Sequence, residues 1–376
     1  MKKTRLAIVR QKYRPDGGAE RFISRALEAL DNHELELNII TRQWSGESRP
    51  DWHVHICNPK KWGRVSRERG FAHAARHCWQ QERFDLVQSH ERIAGCDIFR
   101  AGDGVHKVWL EQRARVIPAY QRWLTPLGGY HRYVLDAEKQ MFHSPVLKKI
   151  ICNSLMVKRD IMRCYQVPED KFALIYNAID SASFYPATPD QRKQGRAQLS
   201  IPDESCVLIY VGSGFERKGL KAAITAVAAT DRYLIIVGQD KQHDKYRALA
   251  QSLGCLSRVR FVGIQKNVLP FYHAADGLIL PTLYDPFPNV ILEAMACGLP
   301  VITSHSCGGA EFIEHDQQGF VCDALDINML KQFAGAIQPL ALDPKRGIAA
   351  RLRVKECTPA RLSEQLIQLY QQLLTA

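Results

Sequence analysis

The sequence lacks the patterns that several common classes of protein require. Its eleven cysteines form no C-x-x-C or C-x₄-C pair, so the spacing of a zinc site is absent. Cys152, Cys206 and Cys297 lie within apolar runs, where a free cysteine behaves as a small core residue. Cysteines scattered in this way are typical of a reducing compartment, and they predict a cytoplasmic protein.

Long apolar runs are also missing. No run approaches the roughly 18 apolar residues that a membrane span needs. The first ten residues, MKKTRLAIVR, have four apolar residues in a row before Arg10, which predicts a first strand rather than a signal peptide. We therefore expect a cytoplasmic protein that can still lie on a membrane surface.

Three nucleotide or metal fingerprints are absent as well. The turn after the first strand reads PDGGAE and lacks the G-x-G-x-x-G of a nicotinamide site. A later turn reads GSGFERKGL, in which Gly219 and Leu220 follow Lys218, so it is not a phosphate-binding P-loop. No D-x-D metal motif occurs. These absences argue against nicotinamide-dependent and P-loop enzymes.

The composition is that of a globular protein with an excess of positive charge. The 376 residues are 46% apolar and 24% charged, and the chain is long enough for two domains. The net charge of +12 predicts a negatively charged partner, which is a nucleic acid, an anionic membrane or a phosphorylated small molecule. A solubilising surface charge is the alternative explanation.

In both halves of the chain, short apolar runs alternate with segments whose apolar residues recur at the spacing of a helix. This β-α order predicts open parallel sheets in an α/β fold. A polar stretch with breakers, residues 183–204, separates the halves. The predicted strands are 6–9, 35–41, 54–57, 84–88, 149–153 and 172–175 in the first half, and 206–211, 233–238, 258–262, 278–280 and 301–303 in the second. The main predicted helices are 66–81, 154–165, 267–275 and 359–374.

Ligands of such sheets bind beyond the carboxyl ends of the strands, and several polar residues follow strands in the first half. They are Ser89, His90, Glu91, Asp103, Gly104 and His106. Gly17 and Gly18 precede a helical pattern and would let backbone amides approach a phosphate. A plain tight turn is the more common explanation of two adjacent glycines, and a loop Asp or His is usually only solvated.

Two segments of the second half carry the chemistry that we consider most informative. At 212–219, Gly212 and Gly214 free the backbone, and Arg217 and Lys218 follow at the start of a helix, which suits a diphosphate. An ordinary turn remains possible there. At 276–314, a strand, a proline-rich loop and a helix bring Asp285 and Glu293 eight positions apart, which predicts the floor of an active site.

Residues 105–133 combine arginine with tryptophan and tyrosine, and Glu111 is their only acid. Aromatic rings with cations suit a lipid headgroup layer, a nucleic-acid strand or a surface helical hairpin broken at Pro118 and Pro126. We favour peripheral contact with an anionic membrane. Nothing else in the chain resembles a nucleic-acid module, so we expect no nucleic-acid partner.

Taken together, these segments resemble the retaining glycosyltransferases of family 4. The matching pieces are GG at 17–18, GSGFERKG at 212–219, VGQDK at 237–241 and DPFPNVILEAMACGLPVI at 285–302. Within that family, the SHERI and GDGVH segments and the basic, aromatic insert are most similar to enzymes that extend the lipopolysaccharide core from an inner-core heptose.

The resemblance implies a GT-B fold with two facing Rossmann-like domains, an interdomain cleft and a C-terminal helix that crosses back to the first domain. It implies an acceptor-binding domain over 1–180 with 358–376 and a nucleotide-sugar-binding domain over 181–357. It also implies a UDP-sugar donor, a lipopolysaccharide core acceptor, no cofactor and no metal. The protein would then act at the cytoplasmic face of the inner membrane.

The resemblance also implies roles for individual residues. Asp285 would contact the donated sugar and Glu293 the ribose; the family usually has glutamate at both positions. Arg217 and Lys218 would stabilise the leaving diphosphate, and Asp103 would supply an acid near the reaction centre. Further substrate contacts would come from Gly17, Gly18, His106, Gly212, Phe287, Pro288, Asn289 and Val290.

Donor choice rests on nearby cations. Arg14, Arg92, Arg100 and His106 would suit the carboxylate of a uronic acid, so we expect UDP-galacturonic acid ahead of UDP-glucose. The competing interpretations are a nucleotide-sugar epimerase or dehydrogenase, a transferase that uses another glycolipid or polysaccharide acceptor, and a basic nucleic-acid-binding module.

Overall fold

The structure is a computed structural model that describes residues 4–13, 35–45, 52–118 and 128–375. The chain divides into two compact units. Unit 1 comprises Met1–Asn177 with Pro359–Ala376, and unit 2 comprises Ala178–Thr358. Each unit contains a parallel sheet with helices, which confirms the predicted α/β class.

Unit 1 contains strands and helices in mixed order, and in several places two strands or two helices follow one another along the chain. Its strands are β1 (Thr4–Val9), β2 (Lys12–Tyr13), β3 (Leu35–Thr41), β4 (Gln43–Trp44), β5 (Trp52–Ile56), β6 (Leu86–Ser89), β7 (Ile98–Arg100), β8 (Lys149–Cys152) and β9 (Phe172–Leu174). Its helices are α1 (Gly63–Glu82), α2 (His106–Ala114), α3 (Gly129–Phe142) and α4 (Leu155–Tyr165).

In unit 2, strands and helices alternate along the chain up to residue 304. Its strands are β10 (Val207–Val211), β11 (Tyr233–Val237), β12 (Val259–Gly263), β13 (Gly277–Leu280), β14 (Val301–Ser304) and β15 (Gly319–Cys322). Its helices are α5 (Pro189–Gln198), α6 (Leu220–Ala228), α7 (His243–Ser252), α8 (Leu269–Ala274), α9 (Asn289–Ala296), α10 (Ile327–Ala336) and α11 (Pro344–Arg353). The last helix of the chain, α12 (Pro359–Thr375), belongs to unit 1.

The two large sheets are parallel throughout. Their strand orders are β5-β3-β1-β6-β7-β8-β9 in unit 1 and β12-β11-β10-β13-β14-β15 in unit 2. In the central strands, residues 6–9 of β1 and all five residues of β10 are buried. Because the strands of each sheet run in one direction, their carboxyl ends meet at one edge. In unit 2, the residues that follow β10, β11 and β13 come together at that edge.

The sequence located the eleven strands that it predicted to within two residues at each end. It missed β7 and β15, which are short, and it did not predict the minor pair formed by β2 and β4. A three- or four-residue strand carries too few positions for its alternation to be seen. The predicted turn and helix that contain Gly17 and Gly18 lie outside the described residues.

The stretch 183–204 is more than the polar separator that the sequence indicated. It contains α5, which begins with a capping box: Thr188 accepts from the backbone of Gln191, and the Gln191 side chain accepts from the backbone of Thr188. Arg196 on α5 is buried and donates to Asp276, which is also buried and precedes β13. This ion pair anchors the separator to the sheet of unit 2.

The C-terminal helix α12 packs through leucines at helical spacing. Leu362, Leu366 and Leu369 of α12 are buried. On the same helix, the Tyr370 hydroxyl donates to Gln88 Oε1 of β6 over 2.7 Å. This contact attaches the end of the chain to the sheet of unit 1.

Candidate active site

The two predicted phosphate-binding cations of unit 2 lie together with Asp285. Arg217 Nη1 lies 3.4 Å from Asp285 Oδ2, and Lys218 Nζ lies 3.6 Å from the same oxygen. The Lys218 and Asp285 side chains are 13% and 10% exposed, whereas that of Arg217 is 39% exposed. One shielded carboxylate thus balances two cations at the carboxyl edge of the sheet.

Gly212 makes room for Lys218. Its backbone has φ +149°, and a Cβ there would stand 2.5 Å from Lys218 Cδ and 2.9 Å from Nζ. The lysine side chain therefore folds directly over the end of β10. Gly212, which the sequence predicts to free the backbone, therefore also lets the cation lie close to the strand end.

Tight backbone contacts hold this edge together. A Cβ on Gly238 would lie 2.3 Å from the Gly212 carbonyl oxygen, and one on Gly219 would lie 1.9 Å from that of Pro281. The Arg217 carbonyl accepts from Leu283 N at 2.8 Å and from Thr282 Oγ1 at 3.0 Å. Main-chain bonds therefore link the turn after β10 to the loop after β13.

Backbone hydrogen bonds fix the position of Asp285, in addition to the ion pairs of its side chain. Its amide donates to Ser306 O at 3.0 Å, and its carbonyl accepts from Gly308 N at 2.9 Å. Burial, followed by the nearby Asp285 charge, raises the pKa of the Cys307 thiol to about 12. Cys307 is therefore a neutral packing residue beneath the site.

The loop between Asp285 and α9 is fixed by packing. The rings of Phe287 and Phe312 meet edge to face with centroids 5.6 Å apart. Pro288 occupies the N-cap position of α9, which begins at Asn289, and Val290 follows in the first turn. The positive end of the α9 dipole lies at this loop and favours negative charge there.

Glu293 is one turn inside α9 and is 4% exposed. The Tyr272 hydroxyl of α8 donates to Glu293 Oε2 over 2.9 Å. Sequence reasoning predicted the glutamate but missed this tyrosine, because Tyr272 lies 21 residues earlier and its apolar neighbours suggest only a core position. Tyr272 fixes the direction of the carboxylate.

A further carboxylate follows β11. Asp240 Oδ2 accepts from the backbone amide of Phe215 over 3.1 Å, which bends the 212–219 turn back toward the neighbouring strand. The VGQDK segment therefore supports the turn that carries Arg217 and Lys218. This contact gives the motif a positioning role.

In unit 1, the residues after β1, β6 and β7 form a second cluster. Arg10 Nη1 lies 3.5 Å from Glu91 Oε1 and 3.6 Å from Asp103 Oδ2. Burial raises the pKa of Glu91 to about 7, although Arg10 opposes the shift. At Asp103, partial desolvation is outweighed by the charges of Arg10, Arg92 and Arg100, which hold its pKa below the usual value. Gly17 and Gly18 lie outside the described residues.

His106 begins α2 beside an anchoring carboxylate that the sequence did not single out. Glu138 of α3 is fully buried and accepts from His106 N at 2.6 Å, from Arg92 Nε at 2.8 Å and from the Tyr165 hydroxyl at 2.7 Å. The His106 ring stacks on His131. Burial, followed by the charge of Arg92, lowers the pKa of His106 to about 4, so its imidazole is neutral at pH 7.

Arg92 and Arg100, two of the cations that were predicted to suit a uronic acid, have other partners in the structure. Arg92 is paired with Glu138 and also donates to Gly104 O at 3.1 Å. Arg100 is 4% exposed and donates to Asn177 Oδ1 at 2.9 Å. Arg14 lies outside the described residues. The contacts of Arg92 and Arg100 therefore position the backbone of unit 1.

The basic, aromatic stretch 105–133 corresponds to α2 and the start of α3, and its residues 119–127 are outside the described part. Among the described residues, no helix is both long and apolar enough to traverse a bilayer. Within the same residues, no three His, Cys, Asp or Glu side chains group closely enough to hold a metal ion.

Family models identify the class of protein. Residues 16–183 match the model "Glycosyltransferase Family 4", and residues 191–348 match "Glycosyl transferases group 1". The two matches lie end to end and cover most of the chain. The protein therefore belongs to these glycosyltransferase families, as the 285–302 motif predicted.

Individual relatives agree with this class. The chain is 26% identical over 328 residues to the lipopolysaccharide glucosyltransferase WaaG of Escherichia coli K12, covering 84% of each chain. It is 33% identical over 183 residues to LpsE of Rhizobium meliloti, a lipopolysaccharide core biosynthesis glycosyltransferase, covering 48% of this chain and 53% of LpsE. The match to LpsE thus spans about half of each protein.

Solved structures define the fold. The crystal structure of WaaG matches with a TM-score of 0.81 and 25% identity, covering 97% of this chain and 99% of that one. Anabaena HepE, solved with UDP-glucose, matches with a TM-score of 0.72 at 17% identity, covering 98% and 99%. The protein therefore has the GT-B fold, with two Rossmann-like units.

Proposed function

We propose that the protein is a retaining glycosyltransferase that moves a hexose from a UDP-sugar to a heptose of the lipopolysaccharide inner core. The observation that carries this proposal is the arrangement of Arg217, Lys218, Asp285 and Glu293 at one edge of the unit 2 sheet. Two cations suit a diphosphate, and two buried acids suit the hydroxyls of a sugar and a ribose. WaaG and LpsE, by their names, act in the same biosynthesis.

In this reaction, the bond between the anomeric carbon and the diphosphate oxygen breaks, and the acceptor oxygen bonds to that carbon on the same face. The acceptor proton passes to the leaving diphosphate oxygen, so no protein nucleophile is needed. Arg217 and Lys218 stabilise the negative charge that grows on this oxygen without a metal. Glu293, oriented by Tyr272, accepts from the ribose, and Asp285 accepts from the sugar.

Gly212, Phe287, Pro288, Asn289 and Val290 complete the proposed donor contacts. Gly212 admits Lys218, and the other four residues form the loop and the first turn of α9. In unit 1, the Asp103 carboxylate accepts a hydrogen bond from the acceptor, and His106 also contacts the acceptor.

UDP-glucose is the first donor to test. Arg92 and Arg100 already have Glu138 and Asn177 as partners, which removes most of the argument for a carboxylated sugar. UDP-galacturonic acid remains the second candidate, since Arg14 follows the first strand. Purified enzyme with a truncated lipopolysaccharide acceptor and each donor decides between them. Activity only with an ADP- or GDP-sugar contradicts a uridine donor.

We also propose that residues 105–133 hold the enzyme peripherally on the cytoplasmic face of an anionic membrane. The aromatic residues would lie among the headgroups, with Arg113 and Arg115 near anionic lipid. Sedimentation with vesicles tests this. Binding should require anionic lipid and fall when Arg113, Arg115 and Arg122 are neutralised; binding that ignores both changes contradicts the proposal.

A further inference from the structure

A groove between α1 and α3 of unit 1 gathers cations on both of its sides. Its cavity measures about 380 Å³. Helix α1 lines it with Arg69, His73 and Arg76, which share one helical face at spacings of four and three residues. Helix α3 contributes Arg132 and Asp136. Asp136 is the one carboxylate among the described residues that line the groove.

Within the described part of the chain, no carboxylate lies within ion-pair distance of Arg69, Arg76 or Arg132, and Asp136 of the groove is no exception. Arg92, which also lines the groove, is paired with Glu138. Like charges that share a concave surface repel one another and raise the local concentration of anions. The arrangement is therefore suited to an anion that the three guanidinium groups share.

The side chain of Arg69 is already oriented. Its guanidinium lies over the ring of Tyr133, 5.6 Å from the centroid. A guanidinium that rests its flat face on an aromatic ring keeps its N–H edge available for hydrogen bonds. That edge matches two oxygens of a phosphate group.

The groove continues inward to the carboxyl ends of the strands. A smaller cavity of about 50 Å³ shares Arg92, Ile93 and Tyr133 with it. This inner cavity is also lined by Gln11 and Glu91, which follow β1 and β6. A ligand whose phosphate sits among the outer arginines thus has the rest of its body directed toward the edge where α/β proteins bind substrates.

We propose that this groove binds a phosphate group on the saccharide acceptor, with Arg69, Arg76 and Arg132 as the anion-binding residues. That the ligand is the acceptor of a glycosyltransferase rests on the proposed function. That the groove binds a sugar phosphate does not depend on it. The enzyme would then recognise phosphorylation of its acceptor separately from the hydroxyl that it glycosylates.

Calorimetric titration with a hexose 6-phosphate and with the unphosphorylated hexose tests the groove directly. The variant carries Arg69→Gln, Arg76→Gln and Arg132→Gln. The control carries Lys60→Gln, Lys61→Gln and Lys139→Gln, which remove the same charge from exposed positions outside the groove. Loss of charge-assisted hydrogen bonds should weaken binding of the hexose phosphate at least about tenfold in the variant only. Equal weakening in the control, or none in the variant, overturns the proposal.

Transfer kinetics with a de-acylated core acceptor, before and after phosphatase treatment, give the second readout. The wild type should have a KM about tenfold lower for the phosphorylated acceptor, and the variant should lose this preference while kcat is retained. If neither acceptor is glycosylated, the proposed function fails, and the titration alone decides the groove. If the variant loses binding to phosphatidylglycerol vesicles but not to the hexose phosphate, the groove serves lipid headgroups and the proposal is wrong.

Discussion

The ammonium group of Lys218 lies 3.6 Å from the carboxylate of Asp285, although the two residues are 67 positions apart. Lys218 follows β10 and Asp285 follows β13, and these strands are neighbours in the sheet. Asp285 also lies 3.4 Å from Arg217. A diphosphate bound at these two cations would therefore contact Arg217 and Lys218 while both also contact Asp285. The acid then keeps the cations in place before the donor arrives.

The first prediction concerns the two cations. Replacing both Arg217 and Lys218 with alanine should abolish transfer, because the leaving diphosphate loses its compensating charge. Each single change should lower kcat by roughly 10²–10³. The assay is release of UDP from the donor in the presence of acceptor, with thermal melting to confirm folding. Lys221→Ala, at an exposed position of α6, is the matched control. A double variant with near wild-type turnover would show that the phosphate assignment is wrong.

The second prediction concerns the space that Gly212 leaves for the Lys218 side chain. In Gly212→Ala, the new Cβ would collide with Lys218 Cδ at 2.5 Å, and φ +149° is unfavourable for alanine. The lysine must move, so donor turnover should fall at least about tenfold while the sheet remains folded. Gly335→Ala in α10 is the control, because a Cβ there has no neighbour within 4 Å. It should be stabilising by about 0.5–1 kcal/mol and fully active. Similar activity in both variants would show that Gly212 does not affect donor turnover.

The third prediction tests the orientation of Glu293. Tyr272→Phe removes a buried hydroxyl that donates to its carboxylate at 2.9 Å. The loss should raise the donor KM and lower the free energy of unfolding by about 1–3 kcal/mol. Urea denaturation and donor kinetics measure the two effects. Tyr233→Phe, at the first residue of β11 and thus at the opposite edge of the sheet, should leave the donor KM unchanged. An unchanged KM in Tyr272→Phe would assign the tyrosine to stability alone.

The fourth prediction follows from the pKa of Glu91, which burial raises from 4.5 to about 7. The folded protein then holds this proton more tightly than the unfolded chain does. The associated stability is fully present below pH 4.5 and is lost as the pH rises to about 7. In the wild type, the free energy of unfolding should therefore fall by roughly 2–3 kcal/mol over this pH range, and Glu91→Gln should abolish that fall. Urea denaturation at pH 5 and pH 8 should show a smaller difference for the variant than for the wild type. Parallel pH profiles would contradict the shift.

Local patterns were enough to predict the strands, the GSGFERKG turn and the motif with its two acids. Strand alternation and glycine turns are local properties, and parallel strands bring their carboxyl ends together whatever lies between them. Arg217 and Lys218, from the first of these segments, lie within ion-pair distance of Asp285 from the second. The sequence also identified the family through the 285–302 segment, whose spacing is long enough to be specific.

Partners that are distant in the sequence could not be predicted in this way. The hydroxyl of Tyr272 on Glu293, the pairing of Arg196 with Asp276 and the use of Arg92 by Glu138 each join separate elements. Nothing in their immediate neighbours distinguishes these residues from ordinary core or surface positions. A count of cations near a predicted site therefore overstated the charge available to a ligand, because Arg92 was already paired.

Glu138 has a consequence for the order in which unit 1 can form. Its carboxylate joins the backbone at the start of α2, the side chain of Arg92 and the hydroxyl of Tyr165, which precede and follow it by 32, 46 and 27 residues. The loop that carries Asp103 therefore gains this anchor only after α3 has been synthesised and has docked. During translation, a nascent chain that ends before residue 138 would hold this loop without its anchor, so the loop becomes ordered only after α3 has formed.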